Sequence, residues 1–222
     1  MKIYPVVHVE SVETTLSEVS KVLDFPIGGV FLIDHDRNDR RLLECTRAVA
    51  STHPELFLGV NFMSRSYEEI SALLTGEFGQ SIPVAAIWSD RVPALEFGGD
   101  PSNRPRPASG IIHFGAVAFK SQPFVPLEQL GELASRARAH VDVVTTSGPG
   151  TGRPLELDRL RALHEGLTGH QLAVASGVTP ENVRSYRPLV DHALVATGIH
   201  GGDHLFDVSK IAALFENLAE DE

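Results

Sequence analysis

Residues 141–175 read VDVVTTSGPGTGRPLELDRLRALHEGLTGHQLAVA. They hold one complete structural unit. An apolar, β-branched run (Val141–Thr146) leads into a Gly/Pro loop (Ser147–Gly152). Leu157, Leu160, Leu163 and Leu167 then recur at helical spacing, and a second apolar run follows (Gln171–Ala175). The runs are continuous rather than alternating, which suits strands buried on both faces, as in a parallel sheet.

The same unit recurs along the chain. Apolar runs begin at Tyr4, Val30, Leu56, Pro83, Ile111, Val141, Gln171 and His192, spaced by 26, 26, 27, 28, 30, 30 and 21 residues. Helical patterns lie between them. Ser11 is placed to cap a helix carrying Val12, Leu16, Val19 and Val22. Ser66-Tyr67-Glu68-Glu69 is a capping box, in which the serine accepts from the third helical amide and the glutamate reaches back. Leu127, Leu130, Leu133 and Ala137 mark another helix. Thr179-Pro180 is an N-cap followed by proline, and Asp207 begins a last helix. Strand–helix alternation implies parallel βαβ units with right-handed crossovers. Eight strands at even spacing predict an α/β fold of the closed (β/α)8, or TIM, barrel type. It is compact, near the lower length limit of ~200 residues, and fills residues 1–222 as a single domain. One connection breaks the pattern: Arg91–Ser109 carries Pro93, Gly98, Gly99, Pro101, Pro105 and Pro107. An irregular fourth βα connection is expected there, either a functional loop or a plain surface loop.

Composition bounds the function. The formal net charge is −10, and only four of the 19 basic residues are lysines (Lys2, Lys21, Lys120, Lys210). That balance speaks against a phosphate-tracking surface, so nucleic acid is not an expected partner. No apolar run reaches the ~18–20 residues that span a bilayer, and MKIYPVVHVE lacks the pattern of a secretory leader. A cytoplasmic protein without a membrane partner is expected, and a homo-oligomer is compatible with the sequence. A single cysteine, Cys45, excludes an intrachain disulfide and a cysteine-based zinc cluster.

In such a barrel the chemistry sits at the C-terminal strand ends. The candidates for acid–base or carbonyl-polarising work are His8, Asp34, Asp90 and Lys120. Lys120 is read as ending a buried strand, where desolvation would lower its pKa. Phosphate is expected on the loops after strands seven and eight, at Ser176, Gly177, Thr197 and Gly198, because glycine lets backbone amides approach an anion. A substrate-covering group is expected from Asn61 and from the loop residues Ser147, Gly148, Gly150 and Thr151. His35-Asp36 and His200…Asp203-His204 are further potential ligands, but no spacing matches a zinc signature such as HExxH, so no metal or other cofactor is assigned.

Two stretches, VTTSGPGTGRPLELDRLRAL (144–163) and QLAVASGVTPENV (171–183), together with FGAVAFKSQ (114–122) and LFLGVNF (56–62), resemble the BtpA family. The resemblance is strongest over Gly115–Gly198. It implies a barrel of the ribulose-phosphate-binding type with phosphate near Ser176, Gly177, Thr197 and Gly198, and one branch of that family is linked to photosystem I assembly. The chain departs from the family's pattern in strand one, where VVHVES keeps only Val7-His8, and in the loop after strand six, which begins Ser-Gly-Pro-Gly. SGVTPENV is also similar to phosphoribosylanthranilate isomerases. That chemistry needs a cysteine after strand one and an aspartate at the end of strand six. Here those places hold His8 and Thr146-Ser147, so an Amadori isomerase is disfavoured.

The expected function is an enzyme of the phosphate-binding barrel type, a lyase or isomerase acting on a phosphorylated sugar or nucleotide fragment. The alternatives are a non-catalytic assembly or stability factor of the BtpA kind, and a metal-dependent hydrolase using His8, Asp34 and His200.

Overall fold

The computed structural model describes residues 1–75, 81–96 and 110–219. Its eight strands are β1 (Lys2–His8), β2 (Val30–Ile33), β3 (Leu58–Asn61), β4 (Ala86–Ser89), β5 (Ile112–Ala116), β6 (Val143–Thr146), β7 (Gln171–Ala175) and β8 (His192–Val195). All neighbours pair in parallel, and β8 pairs back onto β1, closing a barrel in sequence order. Seven helices fill the connections: α1 (Val12–Val22), α2 (Asp39–Thr52), α3 (Tyr67–Thr75), α4 (Leu130–Ala137), α5 (Leu157–Leu167), α6 (Val183–Tyr186) and α7 (Val208–Ala219). Between β4 and β5 the described residues form one 3-10 turn, Pro93–Leu95, and positions 97–109 of the irregular connection lie outside the described residues.

The helix starts follow local chemistry. The Ser11 hydroxyl accepts from Thr14 N (3.0 Å). In the capping box Ser66 N donates to Glu69 Oε2 (2.6 Å) and Glu69 N to Ser66 Oγ (3.4 Å). The helix expected from Thr179-Pro180 starts later, at Val183, and is one turn long. Asn182 is the reason: its Oδ1 accepts from Thr179 N and its Nδ2 donates to Gly177 O, tying the segment back to the end of β7.

Period-two alternation sorts each strand into two faces. Tyr4, Val6, Phe31, Ile33, Ala86, Trp88, Phe114, Ala116, Val143, Ala173, Ala175 and Leu194 point inward and fill the barrel. Tyr4, Phe31 and Phe114 meet edge to face, at centroid distances of 5.2–6.0 Å, and plug its lower part. Gly59 makes room for this plug, since a Cβ there would lie 2.3 Å from the Phe31 ring. The alternate residues, among them Ile3, Val7, Val30, Leu32, Val60, Ile87, Val144, Leu172 and Val174, pack against the helices. With its lower part plugged by side chains, the barrel opens a polar mouth at its C-terminal end.

Candidate functional site

Alternation also decides which polar residues reach that mouth. His8 continues the inward row Tyr4–Val6–His8 and rises above the core. Asp34 falls on the opposite parity from Phe31 and Ile33, and this corrects the expectation for it. It is buried on the outer side of β2, where Arg41 of α2 grips it through two hydrogen bonds, Nε to Oδ2 (2.6 Å) and Nη2 to Oδ1 (2.7 Å). Its Oδ1 also accepts from Asp36 N (2.8 Å). That turn folds the chain back and carries His35 over the mouth, where His35 Nε2 lies 3.2 Å from His8 Nε2. The trio His8, Asp34 and His200 therefore does not assemble. His204 stands where Asp34 was expected: one nitrogen from each of His8, His200 and His204 lies within 4.8 Å of the others.

Lys120 is the second correction. The strand expected to run through Phe119 stops at Ala116, because Ala118 turns left-handed (φ 50°). Gln122 stabilises the turn by donating to Ala116 O (2.9 Å) and accepting from Phe119 N (3.0 Å). Lys120 is thus an exposed loop residue rather than the end of a buried strand. Its backbone amide donates to Ser147 Oγ (2.9 Å), and its Nζ reaches Thr151 Oγ1 (3.1 Å). Partial desolvation lowers its pKa, with the Asp90 charge pulling the other way.

Asp90 is buried beside the mouth and spoken for. Asn61 Nδ2 donates to its Oδ1 (3.0 Å) and Ser64 N to its Oδ2 (2.8 Å), while Asn61 also donates to Trp88 O (2.9 Å). Asn61 and Asp90 form a buried brace between β3 and β4, not a surface open to solvent. Ser147 likewise braces the loop after β6, accepting from Lys120 and donating to Gly148 O (3.0 Å).

The loops after β6, β7 and β8 lie against each other. Ser176, at φ 115°, donates through its hydroxyl to Gly150 O (3.1 Å) and accepts from Gly152 N (3.2 Å). A Cβ on Gly177 would lie 2.2 Å from Arg153 O, and one on Gly198 would lie 2.0 Å from Val178 O, so both glycines are required for this packing. The structure turns strand eight into a 3-10 turn at Thr197–Ile199. Among the described residues, no turn or loop carbonyl accepts from the amides of Gly177, Thr197 or Gly198. Gly177 and Thr197, with Ser176, Thr151, Lys120, His8, His35 and Trp88, line one small cavity of about 50 Å³ at the axis of the mouth, and Gly198 follows Thr197 outside that lining.

Burial holds His8, His35 and His200 neutral. Burial, and then the facing rings of His35, His200 and His204, push the His8 pKa down to about 3. Burial, and then His204, bring that of His200 to about 4. Burial and then Lys120 also lower that of His35. A group that titrates near 3 is a weak general base at neutral pH. A neutral imidazole serves better as a hydrogen-bond donor to an oxygen, or as a ligand. The mouth therefore sets the backbone of Gly177 and Thr197 and one ammonium on the β5–β8 side against neutral imidazoles on the β1–β2 side.

No protein-family model matches the chain, and no curated protein matches it. Solved structures do. N-(5'-phosphoribosyl)anthranilate isomerase from Pyrococcus furiosus superposes with a TM-score of 0.66 at 14% identity, over 99% of this chain and all of that one. The native KDPGal structure gives 0.70 at 13% identity, over 99% and 95%. Thiamine phosphate pyrophosphorylase from Pyrococcus furiosus gives 0.65 at 14%, over 99% and 96%. At these identities the likeness establishes the (β/α)8 fold. Among the described residues, no cysteine stands at the end of β1 and no aspartate at the end of β6. Cys45 is buried in α2, and Asp142 accepts from His113 N (2.8 Å) before β6 begins.

A larger hollow, about 610 Å³, opens outside the barrel beyond the ends of β4 and β5. Its walls are mainly apolar (Val92, Leu95, Val117, Val125, Leu133), and its charged pair, Arg91 and Glu96, is closed on itself at 2.9 Å. Its charged and amide side chains are paired with one another, with a neighbouring side chain or with the backbone, whereas the axial mouth gathers imidazoles, an ammonium and backbone amides around one cavity.

The roles of His35 and His204 were the part least accessible to sequence reasoning. Both sit in loops, where alternation no longer tells direction. Their only signal was proximity in sequence to Asp34 and to His200.

Proposed function

We propose that the chain is a cytoplasmic single-domain enzyme that binds a phosphorylated small metabolite, a sugar or nucleotide fragment, and carries out lyase or isomerase chemistry on it. The observation that supports this reading most is one cavity in which Gly177 and Thr197, whose amides donate to no turn or loop carbonyl among the described residues, face neutral His8 and His35. Loops after strands seven and eight are the phosphate-holding part of this kind of barrel. The phosphate would take those amides and the Thr197 hydroxyl, with Lys120 as a point charge. Ser176 would keep the Gly150–Gly152 loop in place over it. His35, with its Nε2 against His8 Nε2, would face the reacting carbonyl as a neutral donor, the use made of a neutral histidine in triosephosphate isomerase. Asp34 and Asp90 support the site by fixing Arg41 and Asn61 rather than by touching substrate.

Two further observations favour the reading. Fold neighbours include enzymes named for phosphoribosylanthranilate and thiamine phosphate. The BtpA-like stretch from Gly115 to Gly198 also spans the loops that meet here. The acidic surface is no obstacle, because the anion would be met mainly by backbone N–H groups.

The test is a thermal-shift screen of phosphorylated metabolites against their dephosphorylated counterparts. A true ligand at 100 times its dissociation constant stabilises by about 2.7 kcal/mol, and Thr197→Val with Lys120→Met should abolish the shift. Equal binding of dephosphorylated compounds, or none by any phosphorylated one, would overturn the assignment.

A further inference from the structure

Three histidines from distant parts of the chain meet over the barrel mouth. His8 ends β1, whereas His200 and His204 belong to the loop between β8 and α7. The ring centroids lie 4.9 Å (His8–His200), 5.0 Å (His8–His204) and 6.0 Å (His200–His204) apart. One ligating nitrogen from each ring lies within 4.8 Å of the other two. His35 adds a fourth ring beside His8, 3.2 Å away nitrogen to nitrogen.

Ring packing alone does not account for the group. Buried polar atoms are normally hydrogen-bonded, yet His8 Nδ1 and His200 Nε2 are buried with no hydrogen-bond partner among the described residues. The carboxylate best placed in sequence to pair with the cluster, Asp34, is turned to Arg41 instead.

The loop that carries His200 and His204 is also held in an unfavourable shape. Asp203 (φ 54°) and His204 (φ 60°) are consecutive non-glycine residues in the left-handed region, a conformation that persists only where the surroundings enforce it. Enforcement is visible. His200 bridges Phe206, Gly201 N donates to Leu205 O (2.8 Å), and Lys210 Nζ donates to His200 O (2.6 Å). The result is a short, pinned hairpin whose tip returns the His204 ring toward His8.

We propose that His8, His200 and His204 bind one divalent transition-metal ion of the zinc class, leaving a coordination position open toward the cavity that holds Lys120 and Thr151. Three imidazoles suit zinc, cobalt, copper or nickel rather than magnesium or calcium. At zinc–nitrogen distances of 2.0–2.1 Å, tetrahedral ligand nitrogens stand roughly 3.3 Å apart. The nitrogens now lie within 4.8 Å of one another, so binding would draw them closer, and the exposed His204 ring is the one free to move. His35 supplies the outer partner that fixes the tautomer and orientation of His8, a role that metal-bound histidines almost always fill. The open position would offer a Lewis acid to a carbonyl or phosphoryl oxygen. The site does not depend on the phosphate reading, since metal binding is measured with no substrate present.

The test uses the full-length, tag-free protein stripped with chelator and titrated with zinc by calorimetry and with cobalt(II) by visible absorption. One equivalent should bind, and the cobalt form should show the intense visible bands of low-coordinate cobalt. His204→Ala, at an exposed loop tip, should keep the melting temperature of the metal-free parent and lose affinity by roughly 100-fold or more. His204→Gln serves as a second variant of closer size, and His8→Ala should lose the site as well. Binding of equal affinity in the parent and these variants would put the ion on other histidines and overturn the proposal. So would the absence of stoichiometric binding by the parent.

Discussion

Arg41 closes on Asp34 with both of its facing nitrogens, at 2.6 and 2.7 Å, across the outer wall between β2 and α2. Asp34 is almost fully buried, while Arg41 keeps about a quarter of its side chain in solvent and also reaches Asp36 (2.8 Å). The two partners are therefore unequal. Removing the arginine strands a buried carboxylate. Removing the aspartate leaves a guanidinium that still has Asp36 and water.

Arg41→Ala should thus cost more stability than Asp34→Ala. Stranding one partner of a buried pair costs about 3–5 kcal/mol, and the partial exposure of Arg41 brings the expectation down to about 2 kcal/mol. The double variant should recover part of the Arg41→Ala loss. Denaturant midpoints of the three variants check it, and equal costs for both single variants would remove the argument.

Gly198 and Gly202 are four residues apart and should respond unequally to alanine. At Gly198 a new Cβ meets a backbone carbonyl, Val178 O, at 2.0 Å, whereas at Gly202 nothing lies within 4 Å. Backbone cannot rotate aside as a side chain does, so Gly198→Ala should cost about 1–3 kcal/mol. Gly202→Ala should stay within about 0.5 kcal/mol of the parent. A comparison of melting temperatures decides it, at roughly 2–4 °C per kcal/mol for a chain of this size.

Which parts of this arrangement were legible beforehand follows from how far each signal reaches. The barrel was legible because continuous apolar runs and helical stripes are local, and eight of them in order leave little choice of topology. His8 lies at the mouth because it is in register with Tyr4 and Val6, a relation that alternation along one strand makes readable. Asp34 was misjudged although the same rule applied: Ile33 points inward, so the next residue had to point outward. Lys120 was misjudged for a different reason. The run Ile111–Phe119 stays apolar past the end of its strand, and the turn at Ala118 has no glycine to announce it. The histidine cluster joins β1 to two loops, and no pattern along a chain reports that distance.

Stability should fall with acid through two histidines far from the mouth. His113 is buried among Ser89, Tyr67 and His140, with its Nε2 2.7 Å from Ser89 Oγ. His192 is buried beneath Tyr4 and Phe114, beside Asp191, Lys2 and Gln171. Burial lowers both from 6.5 to about 4, with Asp191 acting against it at His192. The folded pKa lies below the unfolded one, so the unfolded chain takes up protons first as the pH falls. These two histidines leave stability untouched above pH 6.5 and erode it between 6.5 and 4. At 1.36 kcal/mol per unit the ceiling is roughly 3 kcal/mol for each. Urea midpoints across that range should show the slope, and His192→Gln should reduce it by about one proton. An unchanged slope would mean that His192 does not stay neutral in the fold.

Lys120 contributes a charge that nothing else in the cavity replaces. Its ammonium is positioned by Thr151 and not by a carboxylate in hydrogen-bond contact, so neutralising it removes attraction for an anion without stranding a buried partner. Charge-assisted hydrogen bonds are worth about 1.5–3 kcal/mol. Lys120→Met should therefore weaken a phosphorylated ligand by roughly 10- to 100-fold while leaving the melting temperature of the free protein unchanged. Thr151→Val removes only the hydroxyl that orients the ammonium, so its effect should be several-fold smaller. Raising the salt concentration should narrow the gap between parent and Lys120→Met, because the lysine is exposed enough to be screened. Isothermal titration at two ionic strengths reads all three quantities. Equal affinity of parent and Lys120→Met at low salt would show that the anion is held by backbone amides alone.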